Sequence, residues 1–194
     1  MKLYFNFCVF LILSCFFYGC AKRNESDEFL LKGIENEHSK DFNSAIAYYS
    51  KAIEHDPKNS LAYLGRGKSY NELKKFEEAI TDFSNSIEFD PKNASTYYNR
   101  GNAYSGLKKF EEAIADYSRT IEINPKNASA YYYRGNDYGE LKKFEEAISD
   151  YTKSIKLNPK GSEAYNFRGN AYKALGKNIE AEKDFRKAKE FGEK

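Results

Sequence analysis

The chain has 194 residues, of which 41% are hydrophobic and 31% charged, a composition that is typical of folded proteins and excludes a disordered chain. The formal net charge is +2, and acidic and basic residues are interleaved, so no basic patch suggests a nucleic-acid partner. All three cysteines lie within the first 20 residues, which excludes a disulfide framework in the rest of the chain.

Residues 1–19 have the pattern of a secretory signal peptide. Lys2 is followed by an almost unbroken apolar stretch from Val9 to Tyr18, and the sequence is polar after Ala21. The stretch is shorter than the ~20 apolar residues that a membrane-spanning helix needs. We therefore predict export, with an uncleaved membrane anchor as the alternative.

The end of this segment resembles the lipobox of bacterial lipoproteins, in which a small residue precedes the cysteine that is lipidated. In the sequence FYGC, Gly19 precedes Cys20, although the two aromatic residues before Gly19 are bulkier than the family pattern. The sequence ILSC, ending at Cys15, also fits, but three aromatic residues would then follow the lipid. The resemblance implies that Cys20 carries the lipid and that residues 20–25 are a tether. The alternatives are lipidation of Cys15, ordinary cleavage and no cleavage.

Beyond the tether, one segment returns at a fixed period of 34 residues. Residues 97–114 read YYNRGNAYSGLKKFEEAI and residues 131–148 read YYYRGNDYGELKKFEEAI, with identity at fourteen of eighteen positions. Arginine-glycine pairs and prolines keep the same spacing. The pairs are Arg66-Gly67, Arg100-Gly101, Arg134-Gly135 and Arg168-Gly169, and the prolines are Pro57, Pro91, Pro125 and Pro159. A fixed period of this length predicts stacked units rather than a globule with long-range topology.

Each unit has the apolar spacing of two amphipathic helices. In the third unit the first stripe is Tyr97, Gly101, Tyr104 and Leu107, and the second is Phe110, Ala113, Ile114, Tyr117 and Ile121. The members recur every three or four positions, which places each set on one helix face. We predict two antiparallel helices and a turn in every unit.

Turn and cap residues mark the ends of these helices. The sequence GLKKF predicts a tight break at Gly106 and Lys108-Lys109. In the sequence NPKNA, Pro125 stops the second helix and Asn127 can serve as the N-cap of the next one.

Small and aromatic residues predict how the units pack. Glycine inside a helix costs about 1 kcal/mol relative to alanine, so its periodic return indicates a packing requirement. We expect Gly101 and Ala113 to let the two helices of a hairpin approach closely. We expect the aromatic residues to fill the space between hairpins, and in the third unit these are Tyr97, Tyr104, Phe110 and Tyr117. Since one hairpin cannot bury its apolar face alone, neighbouring hairpins must stack.

The repeated unit resembles the tetratricopeptide repeat (TPR), whose series is a large aromatic residue, Gly, Tyr, Ala, an aromatic residue, Ala and Pro. The second repeat has Tyr63, Gly67, Tyr70, Ala79, Phe83, Ser86 and Pro91; the third has Tyr97, Gly101, Tyr104, Ala113, Tyr117, Thr120 and Pro125; the fourth has Tyr131, Gly135, Tyr138, Ala147, Tyr151, Ser154 and Pro159. The first is weaker, with Phe29, Gly33, Ala45, Tyr49, Ala52 and Pro57 but Asn36 in place of Tyr, and the fifth has Tyr165, Gly169, Tyr172, Ala181, Phe185 and Ala188 without a closing Pro.

The resemblance implies an all-α fold, an α-solenoid in which about five helix-turn-helix hairpins form a right-handed superhelix. The array would cover residues 26–194, with repeats near 26–59, 60–93, 94–127, 128–161 and 162–194.

The resemblance also implies that the first helix of each hairpin lines a concave groove that binds a peptide or helix of another protein. The groove positions would be one residue after the leading aromatic residue and four residues beyond that. They carry Leu64 and Lys68, Tyr98 and Asn102, Tyr132 and Asn136, and Asn166 and Asn170. A ladder of tyrosines and amides could contact a peptide backbone; the alternative is a solvated wall with binding elsewhere. Of these positions only Lys68 is cationic, so we do not predict the clamp with which some TPR domains hold a C-terminal carboxylate.

No pattern in the chain predicts an enzyme, a metal site or a cofactor. We expect the two histidines, His38 and His55, to be exposed polar residues near helix ends. Paired glutamates recur with the period and are expected in the first turn of each second helix, where negative charge suits the helix dipole. The pairs are Glu77-Glu78, Glu111-Glu112 and Glu145-Glu146.

The sequence thus predicts an exported, lipid-anchored TPR protein of the bacterial cell envelope that acts as a scaffold for protein binding. Its membrane contact would be through lipidated Cys20. The alternative is a soluble secreted or periplasmic protein whose repeats mainly mediate self-association.

Overall fold

The structure, a computed structural model, describes residues 25–192. The predicted signal segment 1–19, Cys20 and the tether up to residue 24 lie outside these residues. The described part contains ten helices and no strand, which confirms the all-α prediction. The helices are α1 (Glu25–His38), α2 (Phe42–His55), α3 (Ser60–Glu72), α4 (Phe76–Phe89), α5 (Ala94–Gly106), α6 (Phe110–Ile123), α7 (Ala128–Glu140), α8 (Phe144–Leu157), α9 (Ser162–Ala174) and α10 (Asn178–Gly192). None of the helices in residues 25–192 is long and apolar enough to cross a membrane.

The helices form five stacked hairpins, α1–α2 to α9–α10. Each helix packs on its hairpin partner, and the second helix of each of the first four hairpins also packs on the first helix of the next hairpin. The first helices of neighbouring hairpins also contact each other, whereas within residues 25–192 the second helices do not. The stack therefore curves with α1, α3, α5, α7 and α9 on the concave side, and we call the surface of these five helices the inner face.

The glycines inside the first helices make room for aromatic rings of the second helices, as the sequence predicts. A Cβ atom added at Gly101 would lie 2.8 Å from Cε1 of Tyr117, which is fully buried. Tyr117 thus fills the space inside its own hairpin. Its ring also lies 6.2 Å from that of Tyr133 in the next hairpin, in line with its predicted place between hairpins.

The turn inside each hairpin differs in detail from the sequence prediction. Gly106 is the last residue of α5, and the left-handed residue of the turn is Lys108, with φ 59°. Gly106 serves packing instead, because an added Cβ would lie 2.7 Å from Cζ of Phe76 in the preceding hairpin.

The predicted caps are confirmed. The Asn127 side chain accepts a hydrogen bond from the backbone N–H of Ala130 at 3.0 Å, so it is the N-cap of α7. The paired glutamates lie in the first turns of α4, α6 and α8.

An arginine in each of hairpins two to five connects two hairpins. Arg134 donates from Nε and Nη2 to the two carboxylate oxygens of Asp150, at 2.7 and 2.8 Å, within its own hairpin. Its Nη1 donates to Oγ of Ser118 in the preceding hairpin at 2.8 Å. The guanidinium carbon lies 5.7 Å from the ring centre of Tyr131 and 6.0 Å from that of Tyr138. We call this group of contacts the arginine latch.

The latch recurs with the same partners along the stack and changes at both ends. The sets of arginine, aspartate and hydroxyl residue are Arg66, Asp82 and Ser50; Arg100, Asp116 and Ser84; Arg134, Asp150 and Ser118; and Arg168, Asp184 and Thr152. In the first hairpin Lys32 and Tyr48 occupy the arginine and aspartate positions, and in the fifth Arg186 occupies the hydroxyl position.

Candidate functional site

The inner face carries a continuous row of aromatic side chains from α5 to α9. The ring of Tyr98 lies 5.9 Å from that of Tyr133, which lies 5.0 Å from that of Tyr132. Tyr132 in turn lies 5.7 Å from Phe167. Tyr133 is 39% exposed and Phe167 is 40% exposed, so both rings are open to a ligand. We call these four residues the aromatic row.

Sequence reasoning found half of this row. Tyr98 and Tyr132 are predicted groove residues, whereas Tyr133 and Phe167 lie one position later in their helices and were missed. Large apolar side chains at exposed helix positions were the signal that could have found them.

The amides of the predicted ladder are held by the hairpins behind them. Oδ1 of Asn102 accepts a hydrogen bond from the Tyr117 hydroxyl at 2.8 Å, and Oδ1 of Asn136 accepts one from Tyr151 at the same distance. These oxygens are therefore already used within the array.

The fifth hairpin lacks the tyrosine hydroxyl behind its amide. Phe185 stands where Tyr117 and Tyr151 stand in their hairpins, and Asn166 and Asn170 are both exposed on α9. The predicted ladder is thus not uniform: two of its amides are anchored inside the protein and two face solvent.

The predicted groove cation, Lys68, is part of an internal ion pair. Its Nζ lies 2.5 Å from Oε1 of Glu37 in the preceding hairpin, and Oε2 of Glu37 accepts a hydrogen bond from Tyr49 at 2.7 Å. Leu64, the neighbouring groove position, is half-buried and packs on the core around Phe83. The second hairpin thus presents less binding surface than the third to fifth.

Burial affects the protonation of two hydroxyls of the row, those of Tyr98 and Tyr132. It is the main cause that raises the pKa of Tyr98 and of Tyr132 above the ordinary value for tyrosine. Both hydroxyls therefore stay neutral at physiological pH and can donate as well as accept hydrogen bonds.

Beside the row, a cleft of about 740 Å³ lies between α5, α7 and α9. It is lined by the predicted residues Asn136 and Asn170 and by Phe167, together with Asp137 and Glu140. Asp137 is only 2% exposed, and sequence reasoning missed it. An acidic residue at a buried position, where the third and fifth hairpins have Ala103 and Ala171, was the signal that could have found it.

The two histidines lie as predicted, exposed at the last positions of α1 and α2. His55 Nδ1 lies 3.0 Å from Oε2 of Glu25, which is a surface contact. Within residues 25–192 no three side chains of His, Cys, Asp or Glu lie close enough together to hold a metal ion.

Models of the tetratricopeptide repeat match almost the whole described part of the chain. The matched residues are 29–59, 48–81, 67–108, 94–127, 128–160 and 162–191. No curated protein matches the chain.

Solved structures show the same architecture. A crystal structure of MamA is 33% identical over 83% of this chain and 94% of that chain, with a TM-score of 0.79. A MamA structure from Desulfovibrio magneticus RS-1 is 18% identical over 87% of this chain and 96% of that chain, with a TM-score of 0.82. YrrB, described as a TPR protein with an unusual peptide-binding site, is 20% identical over 88% of each chain, with a TM-score of 0.77. With the repeat models matched from residue 29 to residue 191 and this fold shared, the chain belongs to the tetratricopeptide repeat family.

Proposed function

We propose that this protein is an interaction scaffold that binds a peptide or helix of another protein on its inner face. The observation that carries the proposal is the aromatic row, whose exposed rings Tyr133 and Phe167 lie on the concave side of the stack. Aromatic side chains give large contact area at low cost in conformational entropy and are enriched at binding hot spots. The peptide-binding site ascribed to YrrB, which has the same fold, is in line with this role. The proposed role is binding rather than catalysis.

The test compares capture of partners by variants of the two faces. The double variant Tyr133→Ser/Phe167→Ser removes the exposed rings, and Ile179→Ser, at a residue 83% exposed on the second helix α10, is the matched control. We expect the wild type and the control to capture the same proteins from envelope extracts in equal amounts. The double variant should not capture them. Equal capture by all three chains would contradict the proposal.

A second variant tests the predicted amide ladder. Asn102→Ala/Asn136→Ala removes two amides whose oxygens bind Tyr117 and Tyr151. If the partner is retained without them, the ladder is not part of the binding site and the aromatic row alone carries it.

We further propose that the scaffold is anchored to a membrane of the bacterial cell envelope by lipid on Cys20. The support is the lipobox resemblance of the sequence FYGC. Several acyl chains, at about 0.8 kcal/mol per buried CH₂ group, would hold the protein stably. Detergent partitioning tests this: the wild type should enter the detergent phase, Cys20→Ser should stay in the aqueous phase, and Cys15→Ser should behave as the wild type. A wild type that stays in the aqueous phase would contradict the anchor.

A further inference from the structure

The cleft between α5, α7 and α9 contains a carboxylate that the fold leaves without a complete set of partners. Oδ1 of Asp137 accepts a hydrogen bond from Ser105 Oγ at 2.7 Å, but Oδ2 is buried and has no hydrogen-bond partner among the described residues. A buried charged group without a partner is destabilising, and such groups cluster at functional sites.

Comparison of the hairpins shows that Asp137 is not required by the fold. The equivalent positions in hairpins two, three and five are Ser69, Ala103 and Ala171, all of them buried. Burial raises the pKa of Asp137 to about 6, so the carboxyl is still mainly ionised at pH 7. Serine and alanine are buried at the equivalent positions, so packing at this position does not need a charge.

The cleft has negative charge and open space. Asp137 and Glu140 are two lining carboxylates, and Lys108 is the one cation among the lining residues. Gly139 leaves the wall without a side chain, and a Cβ added there would meet nothing closer than the Tyr151 hydroxyl at 3.8 Å. An anionic or purely apolar ligand would leave Oδ2 of Asp137 without a partner, and a neutral donor would supply a hydrogen bond without balancing the charge. A cation would supply both.

Aromatic rings complete the site. Phe167 and Tyr151 line the cleft, with ring centres 6.2 Å apart, and Phe110 and Phe144 line it from the second helices. A Lys ammonium or Arg guanidinium is attracted to the faces of aromatic rings as well as to carboxylates. The protein itself uses this chemistry in the arginine latch, where Arg134 lies beside two tyrosine rings and binds Asp150.

We infer that this cleft receives a basic side chain, Lys or Arg, of the protein segment that binds the inner face. The inference rests on the proposed function and specifies the chemistry of the partner: a cation in the cleft beside Asp137, with adjacent apolar residues on the aromatic row.

Nuclear magnetic resonance on the full chain in detergent tests the inference with three small probes. N-acetyl-arginine methylamide and N-acetyl-lysine methylamide carry the cation, and N-acetyl-glutamine methylamide is the neutral control. With either basic probe we expect saturable chemical-shift changes at the backbone amides of Gly139, Asn170 and Ala171. The probe that saturates at the lower concentration identifies the preferred side chain. Equal response to the glutamine probe, or no saturable response to either basic probe, would overturn the inference.

Two variants locate the binding. Asp137→Asn should weaken binding of the basic probes about tenfold or more, because it removes the charge that a buried ion pair needs. Glu112→Gln changes the net charge equally at an exposed residue of α6 and should bind as the wild type. Unchanged binding by Asp137→Asn would also overturn the inference. The comparison of probes on the wild type decides the question even if Asp137→Asn does not fold.

The outcome can be separated from that of the proposed function. A chain that captures a partner through the aromatic row and does not respond to the basic probes overturns this inference alone. A chain that binds the probes and captures no partner contradicts the proposed function and leaves the cation site in place.

Discussion

Asp137 occupies a buried position at which hairpins two, three and five carry serine or alanine, and its carboxyl has a pKa of about 6 in the folded protein. The ordinary value is 3.8, so the folded state binds the proton more tightly than the unfolded chain does. The resulting stability is fully present below about pH 4 and is lost as the pH rises through about 6, at a cost of about 3 kcal/mol.

Asp137→Ala should therefore raise the free energy of unfolding at pH 7 by about 2 kcal/mol, after subtracting about 1 kcal/mol for the lost hydrogen bond from Ser105. At pH 4 the gain should disappear. Urea denaturation at both pH values measures this, with Asp27→Ala at an exposed site of α1 as the control. A loss of stability at both pH values would show that the carboxyl is stabilising.

Substitution by alanine should change the stability in opposite directions at two glycines of the first helices. Gly101→Ala would place Cβ 2.8 Å from the buried Tyr117 ring and should destabilise the protein by about 1–3 kcal/mol. At Gly139 an added Cβ would clash with nothing, since the nearest atom, the Tyr151 hydroxyl oxygen, lies 3.8 Å away. Gly139→Ala should therefore stabilise the protein by about 0.5–1 kcal/mol, because alanine is the better helix former. Thermal unfolding of both variants checks the pair, and equal effects would contradict the packing argument.

At the scale of the elements, the turns inside hairpins one to four have a lysine at a position whose backbone conformation favours glycine. Lys40, Lys74, Lys108 and Lys142 have φ near 60°, and the fifth hairpin has Gly176 with φ 72° at the corresponding place. A left-handed backbone is strained for any residue with a Cβ atom.

Lys108→Gly should relieve that strain and raise the free energy of unfolding by up to about 1 kcal/mol. The reciprocal change Gly176→Lys should lower it by a similar amount. Chemical denaturation measures the free energy of unfolding of both variants. A lower value for Lys108→Gly would contradict the prediction and show that the lysine side chain stabilises the turn.

The elements themselves could be predicted from the sequence because each depends on residues close in the chain. The 34-residue period predicted the hairpins, and Asn127 and Glu111-Glu112 predicted helix starts. The left-handed residue of the turn, Lys108, could not be assigned from the sequence GLKKF. The glycine of that sequence, Gly106, suggested the break, but it is present because it packs against Phe76.

At the scale of the whole molecule, the arginine latch connects each hairpin to the one before it. Arg134→Gln would leave the buried Asp150 without its cation and remove the contact to Ser118. Breaking a buried ion pair typically costs about 3–5 kcal/mol.

We expect Arg134→Gln to lose about 3 kcal/mol or more, and Ser118→Ala, which removes only the contact between hairpins, to lose about 1 kcal/mol. Urea denaturation followed by hydrogen exchange measures the loss and shows which hairpins open first. If the two losses were equal, the ion pair would add nothing to the contact between hairpins.

Contacts between hairpins were the part that the sequence did not reveal. The Arg-Gly spacing was visible, but the partners of the arginine lie 16 residues away in each direction. Lys68 was predicted as a groove residue, and its ion pair with Glu37, 31 residues away, could not be inferred from the period. A period identifies equivalent positions, and the partner of each position follows only from the way hairpins stack.

The last hairpin has Arg186 where the other hairpins offer a hydroxyl to the next arginine. A further copy docked on α10, from a second molecule or from an engineered duplication, would bring its own arginine towards this one, and like charges repel. A design that lengthens the array should therefore include Arg186→Ser, which offers the next arginine the hydroxyl that the other hairpins provide.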